Sequence, residues 1–290
     1  MKKATISDKY EILQDNFIEV FGEKLYRIRA LRSFSDVVKG NIGGYIKRCE
    51  NLAQYGDAWV YGNARVSGDA RVFGNARVSG DARVYGDARV FGNAHVYSNA
   101  WVSGDAHVSG HAQVYGDAWV FGDAQVYGDA WVSGKARVSG DARVYGDAHV
   151  SGNARVYGDA RVSGDAHVYG DARVFGNARV FGNARVYGDA RVYGDARVFG
   201  DAQVYGDAHV SGDARVSGQV DMITVLDIGS ERGCLTIYRD SEIGVRVTRG
   251  CFTGSIEEFL EAVESTHGDN MHGKVYKSLI ETAEIQFGLN

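Results

Sequence analysis

The chain has 290 residues, a hydrophobic fraction of 44% and a formal net charge of −5. This composition is typical of folded globular proteins rather than disordered ones. Surfaces that bind nucleic acid or anionic membranes are usually basic, so the acidic balance disfavours nucleic acid as a partner and gives no support for a membrane. The chain also has 39 glycines and no proline, which indicates a biased and repetitive sequence.

The beginning of the chain and the cysteines bear on its location. Residues 1–17 contain no apolar stretch of the length that a secretory signal requires, and no segment approaches the length of a membrane span. Cys49, Cys234 and Cys251 are odd in number and widely spaced, which does not describe a disulfide framework. We therefore predict a cytoplasmic protein with reduced thiols.

Residues 1–54 are predicted to form a small N-terminal β cap. Residues 17–33 alternate between apolar and polar side chains on either side of Gly22, as in a hairpin, and GNIGGYI at residues 40–46 leads towards the repeats that follow. A cap is needed because an open β edge exposes unpaired backbone groups and invites end-to-end aggregation.

Residues 55–216 consist of consecutive hexapeptides with the pattern aromatic or Ser, Gly, mostly Asp or Asn, Ala, variable, Val. The fourth position is always Ala and the sixth is always Val, and the Gly at the second position is replaced only at Ser98. Such regular self-similarity predicts a solenoid, in which each unit covers the apolar side of its neighbour.

Each hexapeptide combines a short strand with a corner. The period-two alternation turns Ala and Val inward and the variable residue outward. Gly with Asp or Asn supplies a sharp turn, since Gly accepts positive φ. An interior lined by Ala and Val is narrow, which suits a triangular coil of three hexapeptides. Residues 55–216 would then form about nine coils of 18 residues.

Variable residues that are 18 apart stack on one another and define three outward faces. The arginine face contains every eighteenth residue from 71 to 215, and seven of these nine residues are arginine. The corner residue before each of them is the third residue of the same hexapeptide, and it is Asp in eight of the nine cases. The charge of this face is therefore neutralised locally, which weakens the case for a phosphate track. The mixed face contains every eighteenth residue from 59 to 203. The tryptophan face contains every eighteenth residue from 65 to 209, which stacks Trp101 on Trp119.

Aromatic side chains on or beside the mixed and tryptophan faces are the candidate binding residues. Ladders of aromatic rings beside arginine can simply stabilise a sheet through stacking and cation–π contacts. Exposed Trp and Tyr in a flat array are also typical of protein-binding surfaces, whereas stacking of single-stranded bases is disfavoured by the net charge. The candidates are Trp59, Trp101, Trp119, Phe121, Trp131, Tyr97 and Tyr115.

Residues 217–290 are predicted to form an α+β domain that caps the repeats and supports self-association or partner binding. MITVLDI, CLTIYRD and GVRVTRG have the pattern of a small antiparallel sheet. A helix follows, with Ser255 as N-cap and Glu258 as its capping partner three residues later. A second helix is predicted through Val275, Leu279 and Ile280.

Cys251, His267 and His272 form a candidate site in this domain. With Cys234 added, the spacing of the two histidines suits zinc, but sixteen residues separate the two cysteines, where zinc sites usually have tight pairs. A buried thiol and two capping histidines are the favoured interpretation. We therefore predict neither a metal nor another cofactor.

The repeat as a whole resembles the left-handed parallel β-helix proteins, whose hexapeptide motif has an aliphatic residue, here Val60, and a small residue four later, here Ala64. The resemblance implies the left-handed sense, because parallel crossovers are otherwise right-handed. Many proteins of this fold are acyl-CoA-dependent acyltransferases. Such enzymes need loops that build a cleft around a general base, and no loop interrupts residues 60–216.

The flanking segments resemble a narrower group. YRIRALRSFSDVVKGNIGGYIKRCENLAQYGDAWV at residues 26–60 is similar to the entry segment of YdcK-like β-helix proteins of bacteria and their phages. RVTRGCFTGSIEEFLEAVESTHGDNMHGKVYKSLIE at residues 246–281 is similar to a C-terminal domain of prophage-encoded proteins. The resemblance implies a phage or prophage protein in the cytoplasm of a bacterial host.

These patterns predict a mainly β protein, a triangular left-handed parallel β-helix with a small N-terminal β cap and a C-terminal α+β domain. Its leading function is that of a non-enzymatic scaffold that recognises a host protein or signalling molecule and forms a homo-oligomer, either a dimer or a trimer. The alternatives are an acyltransferase of the hexapeptide-repeat class and a component of a virion or adhesin spike.

Overall fold

The computed structural model describes residues 8–20 and 22–289, and the chain divides into two compact units, residues 1–153 and 154–290. The protein is mainly β, with a β-solenoid of about ten turns, a small N-terminal strand region and a C-terminal domain with a sheet and two helices. The predicted fold class is confirmed. The solenoid exceeds the predicted nine coils because pairing begins before residue 55, with Ile46 against Val66 and Leu52 against Val72.

The first unit begins with an antiparallel hairpin of β1, Tyr10–Val20, and β2, Glu23–Ala30. This confirms the predicted hairpin, although β1 begins earlier than expected. β2 pairs with β3, Ile42–Ile46, and β3 pairs in parallel with the solenoid. A 3-10 turn follows at Cys49–Asn51. The hairpin therefore continues the sheet that lies beneath the tryptophan face.

In the solenoid of the first unit, each hexapeptide contributes a two-residue strand, and strands one coil apart pair in parallel. Beneath the mixed face these are β4 (Trp59–Val60), β7 (Arg77–Val78), β10 (His95–Val96), β13 (Gln113–Val114), β16 (Trp131–Val132) and β19 (His149–Val150). Beneath the tryptophan face they are β5 (Arg65–Val66), β8 (Arg83–Val84), β11 (Trp101–Val102), β14 (Trp119–Val120) and β17 (Arg137–Val138). Beneath the arginine face they are β6 (Arg71–Val72), β9 (Arg89–Val90), β12 (His107–Val108), β15 (Gln125–Val126) and β18 (Arg143–Val144).

The second unit repeats the same arrangement. Its strands beneath the tryptophan face are β20 (Arg155–Val156), β23 (Arg173–Val174), β26 (Arg191–Val192) and β29 (His209–Val210). Those beneath the arginine face are β21 (Arg161–Val162), β24 (Arg179–Val180), β27 (Arg197–Val198) and β30 (Arg215–Val216). Those beneath the mixed face are β22 (His167–Val168), β25 (Arg185–Val186) and β28 (Gln203–Val204).

Small apolar side chains line the interior of the hexapeptide coils at residues 55–216. Every Ala and Val at the fourth and sixth hexapeptide positions is 0% exposed, as the alternation predicts. The corners need glycine: Gly110 has φ +68°, and a Cβ there would lie 2.8 Å from the backbone N and O of Gly128 in the next coil. Ser98 is the exception, a non-glycine residue with φ +61°.

Lys9 covers part of the open edge at β4, the end strand of its sheet. The side chain is fully buried, and its Nζ donates hydrogen bonds to the carbonyl oxygens of Ala58 at 2.8 Å and Tyr55 at 3.4 Å. Burial and then the charge of Arg32 lower the pKa of Lys9 to about 8, against the opposing charge of Asp57. The ammonium thus satisfies carbonyl groups that no strand reaches.

The second unit ends in a small α+β domain. After a 3-10 turn at Gln219–Asp221, the antiparallel sheet contains β31 (Met222–Ile228), β32 (Gly233–Asp240), β33 (Gly244–Arg249) and β34 (Phe252–Gly254). Two helices follow, α1 (Ile256–His267) and α2 (Met271–Phe287). The three predicted strands and both helices are confirmed, and the short β34 was not predicted.

The first helix begins as the sequence predicts. The Ser255 hydroxyl accepts a hydrogen bond from the backbone N–H of Glu258, and the Glu258 carboxylate accepts one from the N–H of Ser255. Phe259 and Val263 of α1 are buried with Ile280 of α2 in one apolar cluster against the sheet. The domain therefore has its own hydrophobic core.

Candidate functional site

The mixed face begins at Trp59, and this side chain is not on the surface. It is 1% exposed, and its ring packs against the rings of Tyr10 and Phe34 at centroid distances of 6.1 and 5.4 Å. The prediction that Trp59 belongs to an exposed binding surface is therefore wrong. The N-terminal segment folds back over the first coil, and the hexapeptide pattern does not reveal that cover.

On the tryptophan face, Trp101 and Trp119 are in register on β11 and β14, and their rings are parallel at a centroid distance of 4.8 Å. The Arg83 guanidinium lies 4.6 Å from the ring of Trp101, and that of Arg137 lies 5.1 Å from the ring of Trp119. Strand spacing places one side chain of the stack on each coil. Both flat sides of each indole are covered, so a partner can contact these rings only at their edges.

The edges of this stack are accessible and have aromatic neighbours. Trp119 is 37% exposed and Phe121 is 36% exposed. Tyr85 is also exposed and meets Trp101 edge-on at 6.1 Å. We call Tyr85, Trp101, Trp119 and Phe121 the tryptophan patch. It is an apolar surface that lies between two arginines of its own face.

The two arginines beside the tryptophan patch lack an ion-pair partner in the part of the chain that the structure describes. Neither Arg83 nor Arg137 has a carboxylate partner among residues 8–20 and 22–289. The corner positions before the tryptophan face in the first unit are Asn63, Asp81, Asn99, Asp117 and Lys135, whereas those before the arginine face are all Asp: Asp69, Asp87, Asp105, Asp123 and Asp141. The corners before the tryptophan face therefore carry fewer acidic side chains than those before the arginine face.

The remaining predicted aromatic residues lie on or beside the mixed face. Tyr97 and Tyr115 stack at 4.9 Å, and Tyr115 meets Trp131 edge-on at 6.5 Å. Trp131 is 39% exposed and stacks on His149 at 4.9 Å. The predicted set is thus divided between two sheets, and it does not form a single continuous surface.

A polar depression of about 400 Å³ lies beside Tyr97, between the mixed face and the N-terminal segment. In it, Asp36 accepts a hydrogen bond from the Tyr61 hydroxyl at 2.8 Å and pairs with Arg77 at 3.1 Å. Burial alone would raise the pKa of Asp36, but these two partners hold it below its usual value. Burial and then the charge of Arg77 lower the pKa of His95. The charges of the depression are therefore paired within the protein.

In the C-terminal domain, His267 and His272 are neighbours, with ring centroids 5.8 Å apart, and the His267 ring also lies 5.7 Å from that of Tyr276. Cys251 is exposed, in the turn between β33 and β34. Within residues 8–20 and 22–289, no group of three or more His, Cys, Asp or Glu side chains is placed to hold a metal ion. A binding role for these three residues stays a prediction.

The fold and its repeats define a β-solenoid protein. The family model described as YdcK β-solenoid repeat matches within residues 58–218, and its matches are residues 58–72, 70–84, 82–98, 112–128, 136–152, 154–170, 172–188, 178–192, 190–206 and 202–218. The repeat region therefore belongs to the YdcK β-solenoid repeat family. A search of the curated proteins finds no match. Among the described residues, no helix is both long and apolar enough to span a membrane.

Sequence reasoning missed three residues of the tryptophan patch and its surroundings: Tyr85, Arg83 and Arg137. The signal was present for the two arginines, because counting 18 residues back from Trp101 reaches Arg83 and counting 18 forward from Trp119 reaches Arg137. Tyr85 occupies the first hexapeptide position. Its contact with Trp101 depends on the direction of the side chain, which spacing alone does not determine.

Proposed function

We propose that this protein is a non-catalytic binding scaffold of phage or prophage type that acts in the cytoplasm of a bacterial host and recognises a host protein through the tryptophan patch. The observation that carries the proposal is the exposure of Trp119 and Phe121 between Arg83 and Arg137. Trp, Tyr and Arg are the residues most enriched where binding energy concentrates in protein interfaces. The phage and host assignments rest on the sequence resemblance.

The charge around the patch indicates the chemistry of the partner. Arg83 and Arg137 have no acidic partner in the described residues, and Lys135 lies at the adjoining corner. Complementary potentials steer association and exclude wrong partners. The fitting surface is therefore an apolar protein surface bordered by Asp and Glu.

Replacement of Trp119 should separate this patch from the other exposed aromatic residues. A host protein captured by the full chain from a bacterial lysate would be purified, and its Kd measured by calorimetry. We expect Trp119→Ala to weaken binding by about thirtyfold, because truncating a central anchor costs about 2 kcal/mol. The Kd should also rise with salt, since the paired charges are screened.

Trp131→Ala is the matched control, because Trp131 is equally exposed but lies on the mixed face. We expect it to change the Kd by less than about threefold. Equal loss of binding in both variants, or full binding by Trp119→Ala, would exclude the tryptophan patch as the interface. A rise in melting temperature with acetyl-CoA would instead favour the acyltransferase alternative.

We also propose that the protein forms a homodimer through α2. Met271, Val275 and Ile285 are 71%, 43% and 73% exposed, and they lie on one side of the helix with Ser278 and Thr282. The spacing of this stripe alternates between four and three residues, the pattern of two helices that pack along their length. The Thr282 hydroxyl donates to the carbonyl oxygen of Ser278, so the centre of the stripe carries a satisfied polar group.

Two charged residues determine how a second copy would fit. Lys274 and Glu281 lie on one flank of the stripe, and neither forms an ion pair within the described residues. In an antiparallel pair about a two-fold axis near Ser278, Lys274 of each copy lies opposite Glu281 of the other. In a parallel pair the flank that carries Lys274 and Glu281 would instead face the other flank of the second helix, so these two charges would not pair. The charges therefore favour an antiparallel dimer over a trimer.

Charge reversal tests this dimer. Sedimentation of the full chain should give twice the mass of 31.5 kDa. Glu281→Lys should weaken dimerisation, and adding Lys274→Glu should restore it, because the exchanged charges pair again in the antiparallel arrangement only. Val275→Glu with Ile285→Glu should give a monomer that remains folded. A trimer, a monomeric wild type or a failure of the double reversal to restore the dimer would overturn the proposal.

A further inference from the structure

A cleft of about 610 Å³ opens between the N-terminal hairpin and the tryptophan face of the first unit. Its hairpin wall is formed by Val20, Glu23 and Leu25, and its solenoid wall includes Arg65, Ser67, Gly68, Arg83, Tyr85, Gly86 and Trp101. This volume lies in the range that encloses a small organic molecule. Tyr85 and Trp101 of the tryptophan patch also line the cleft. The cleft is enclosed on two sides, whereas the rest of the patch is an open surface.

The small side chain of Ser67 keeps this cleft open. Ser67 occupies the first hexapeptide position, which on the same face is filled by a ring in five coils, such as Tyr85 and Phe121, and by serine in the other three. A ring at Ser67 would project from the coil below Tyr85 into the space beneath the hairpin. Where the hairpin overhangs the solenoid, the first hexapeptide position therefore carries serine, the smaller of the residue types found at that position.

The polar wall of the cleft is formed by two arginines that have no acidic partner among the described residues of the cleft. Arg65 and Arg83 are adjacent and in register on β5 and β8, so two like charges stack at strand spacing. The Nε atoms of both are buried and have no hydrogen-bond acceptor among residues 8–20 and 22–289. Glu23, the acidic group of the lining, is already engaged by Lys47. Two stacked guanidinium groups of like charge repel each other, and an anion in the cleft that accepts hydrogen bonds from their terminal N–H groups would offset this repulsion.

The rest of the lining is apolar or aromatic. Leu25 is 2% exposed on the hairpin side, and Val20 stands beside it. Tyr85 and the edge of Trp101 lie opposite. A ligand that fits this lining has an anionic group for the arginines and an apolar or aromatic body for these walls.

We propose that the cleft is a binding site for a small organic anion, a carboxylate or a phosphate monoester with an apolar or aromatic body. The anionic group accepts hydrogen bonds from Arg65 and Arg83, and the body lies between Leu25 and Tyr85. This site shares Arg83, Tyr85 and Trp101 with the protein interface proposed above, but it does not rest on that proposal. The residues that distinguish the two are Arg65 and Ser67 for the cleft and Trp119 and Phe121 for the patch.

Four probes test the chemistry of the site on the full chain by calorimetry and melting temperature. Phenyl phosphate and benzoate carry both a ring and an anion, inorganic phosphate carries the anion alone, and benzyl alcohol carries the ring alone. We expect phenyl phosphate or benzoate to bind with a Kd on the order of 1 mM or tighter, and the other two at least about tenfold more weakly. The tighter of the first two identifies the anion as phosphate or carboxylate.

Two pairs of variants locate the binding. Arg65→Gln should weaken binding of the tighter probe by about tenfold or more, because it removes a charge-assisted hydrogen bond. Arg155→Gln, at the equivalent position of a coil that does not line the cleft, should not. Ser67→Phe introduces a ring that the repeat accepts elsewhere and should abolish binding, whereas Ser139→Phe, at the same position of a coil outside the cleft, should leave it unchanged.

The outcomes decide between sites and between proposals. Binding of none of the four probes at millimolar concentration, or equal binding by wild type and Ser67→Phe, would overturn the organic-anion site. Loss of the probe in Ser67→Phe with retention of the host protein would support both proposals as separate functions. Trp119→Ala should retain the probe, since Trp119 does not line the cleft.

Discussion

Trp59→Ala is expected to destabilise the first unit by about 3–5 kcal/mol, the usual cost of removing a fully buried tryptophan. The indole is 1% exposed and fills the space between Tyr10, Phe34 and the first coil. Gly43 is part of the same packing, because a Cβ there would lie 2.7 Å from Cζ2 of Trp59. Without the indole, Tyr10 of the hairpin and Phe34 both lose an aromatic contact with the first coil.

The measurement is a denaturant unfolding curve followed by tryptophan fluorescence, which reports on the first unit because all four tryptophans lie within residues 59–131. Trp131→Ala is the control, since Trp131 has the same hexapeptide position on the same face but is 39% exposed. Its loss should cost about 1 kcal/mol or less. Similar midpoints for the two variants would show that the N-terminal segment does not stabilise the first coil.

The comparison of Trp59 with Trp131 also shows what the sequence could predict. The fold follows from the hexapeptide, because Ala, Val and Gly must recur where the interior is narrow and where corners such as Gly110 touch Gly128. The exposure of a variable residue does not follow, because it depends on segments outside the repeat. Trp59 is covered by residues more than twenty positions away in the chain, including Phe34 and Tyr10.

The candidate site was predictable to a similar extent. The stack of Trp101 on Trp119 follows from their separation of 18 residues, and the flanking arginines follow from the same count. The cleft does not, because it requires knowing that β1 and β2 continue the sheet beneath the tryptophan face and overhang Ser67. The position of the hairpin depends on contacts between residues that are distant in the sequence. The hexapeptide periodicity describes only the repeat itself.

Asp240→Ala is expected to destabilise the C-terminal domain by about 3–5 kcal/mol, because it removes the buried partner of a partly buried arginine. The Asp240 side chain is 0% exposed and accepts hydrogen bonds from Arg246 Nε at 2.8 Å and from the backbone N–H of Glu242 at 2.9 Å. Amide hydrogen exchange of β32 and β33 measures this loss within the domain. Glu242→Ala is the control: Glu242 is the exposed partner of the same arginine, and its removal should cost less than about 1 kcal/mol.

The pH dependence of the same pair provides the second half of this prediction. Burial alone would raise the pKa of Asp240, but the hydrogen bonds from Arg246, Glu242 and Ile243 hold it below its usual value. A carboxyl group whose pKa is lower in the folded state stabilises the fold above its unfolded pKa of about 3.9. That stabilisation is lost as the pH falls through the lower, folded pKa. The difference in stability between wild type and Asp240→Ala should therefore be constant between about pH 5 and 7 and shrink below about pH 4. A difference that persists unchanged to pH 2 would mean that the carboxylate charge does not contribute, and that Asp240 acts only through its shape.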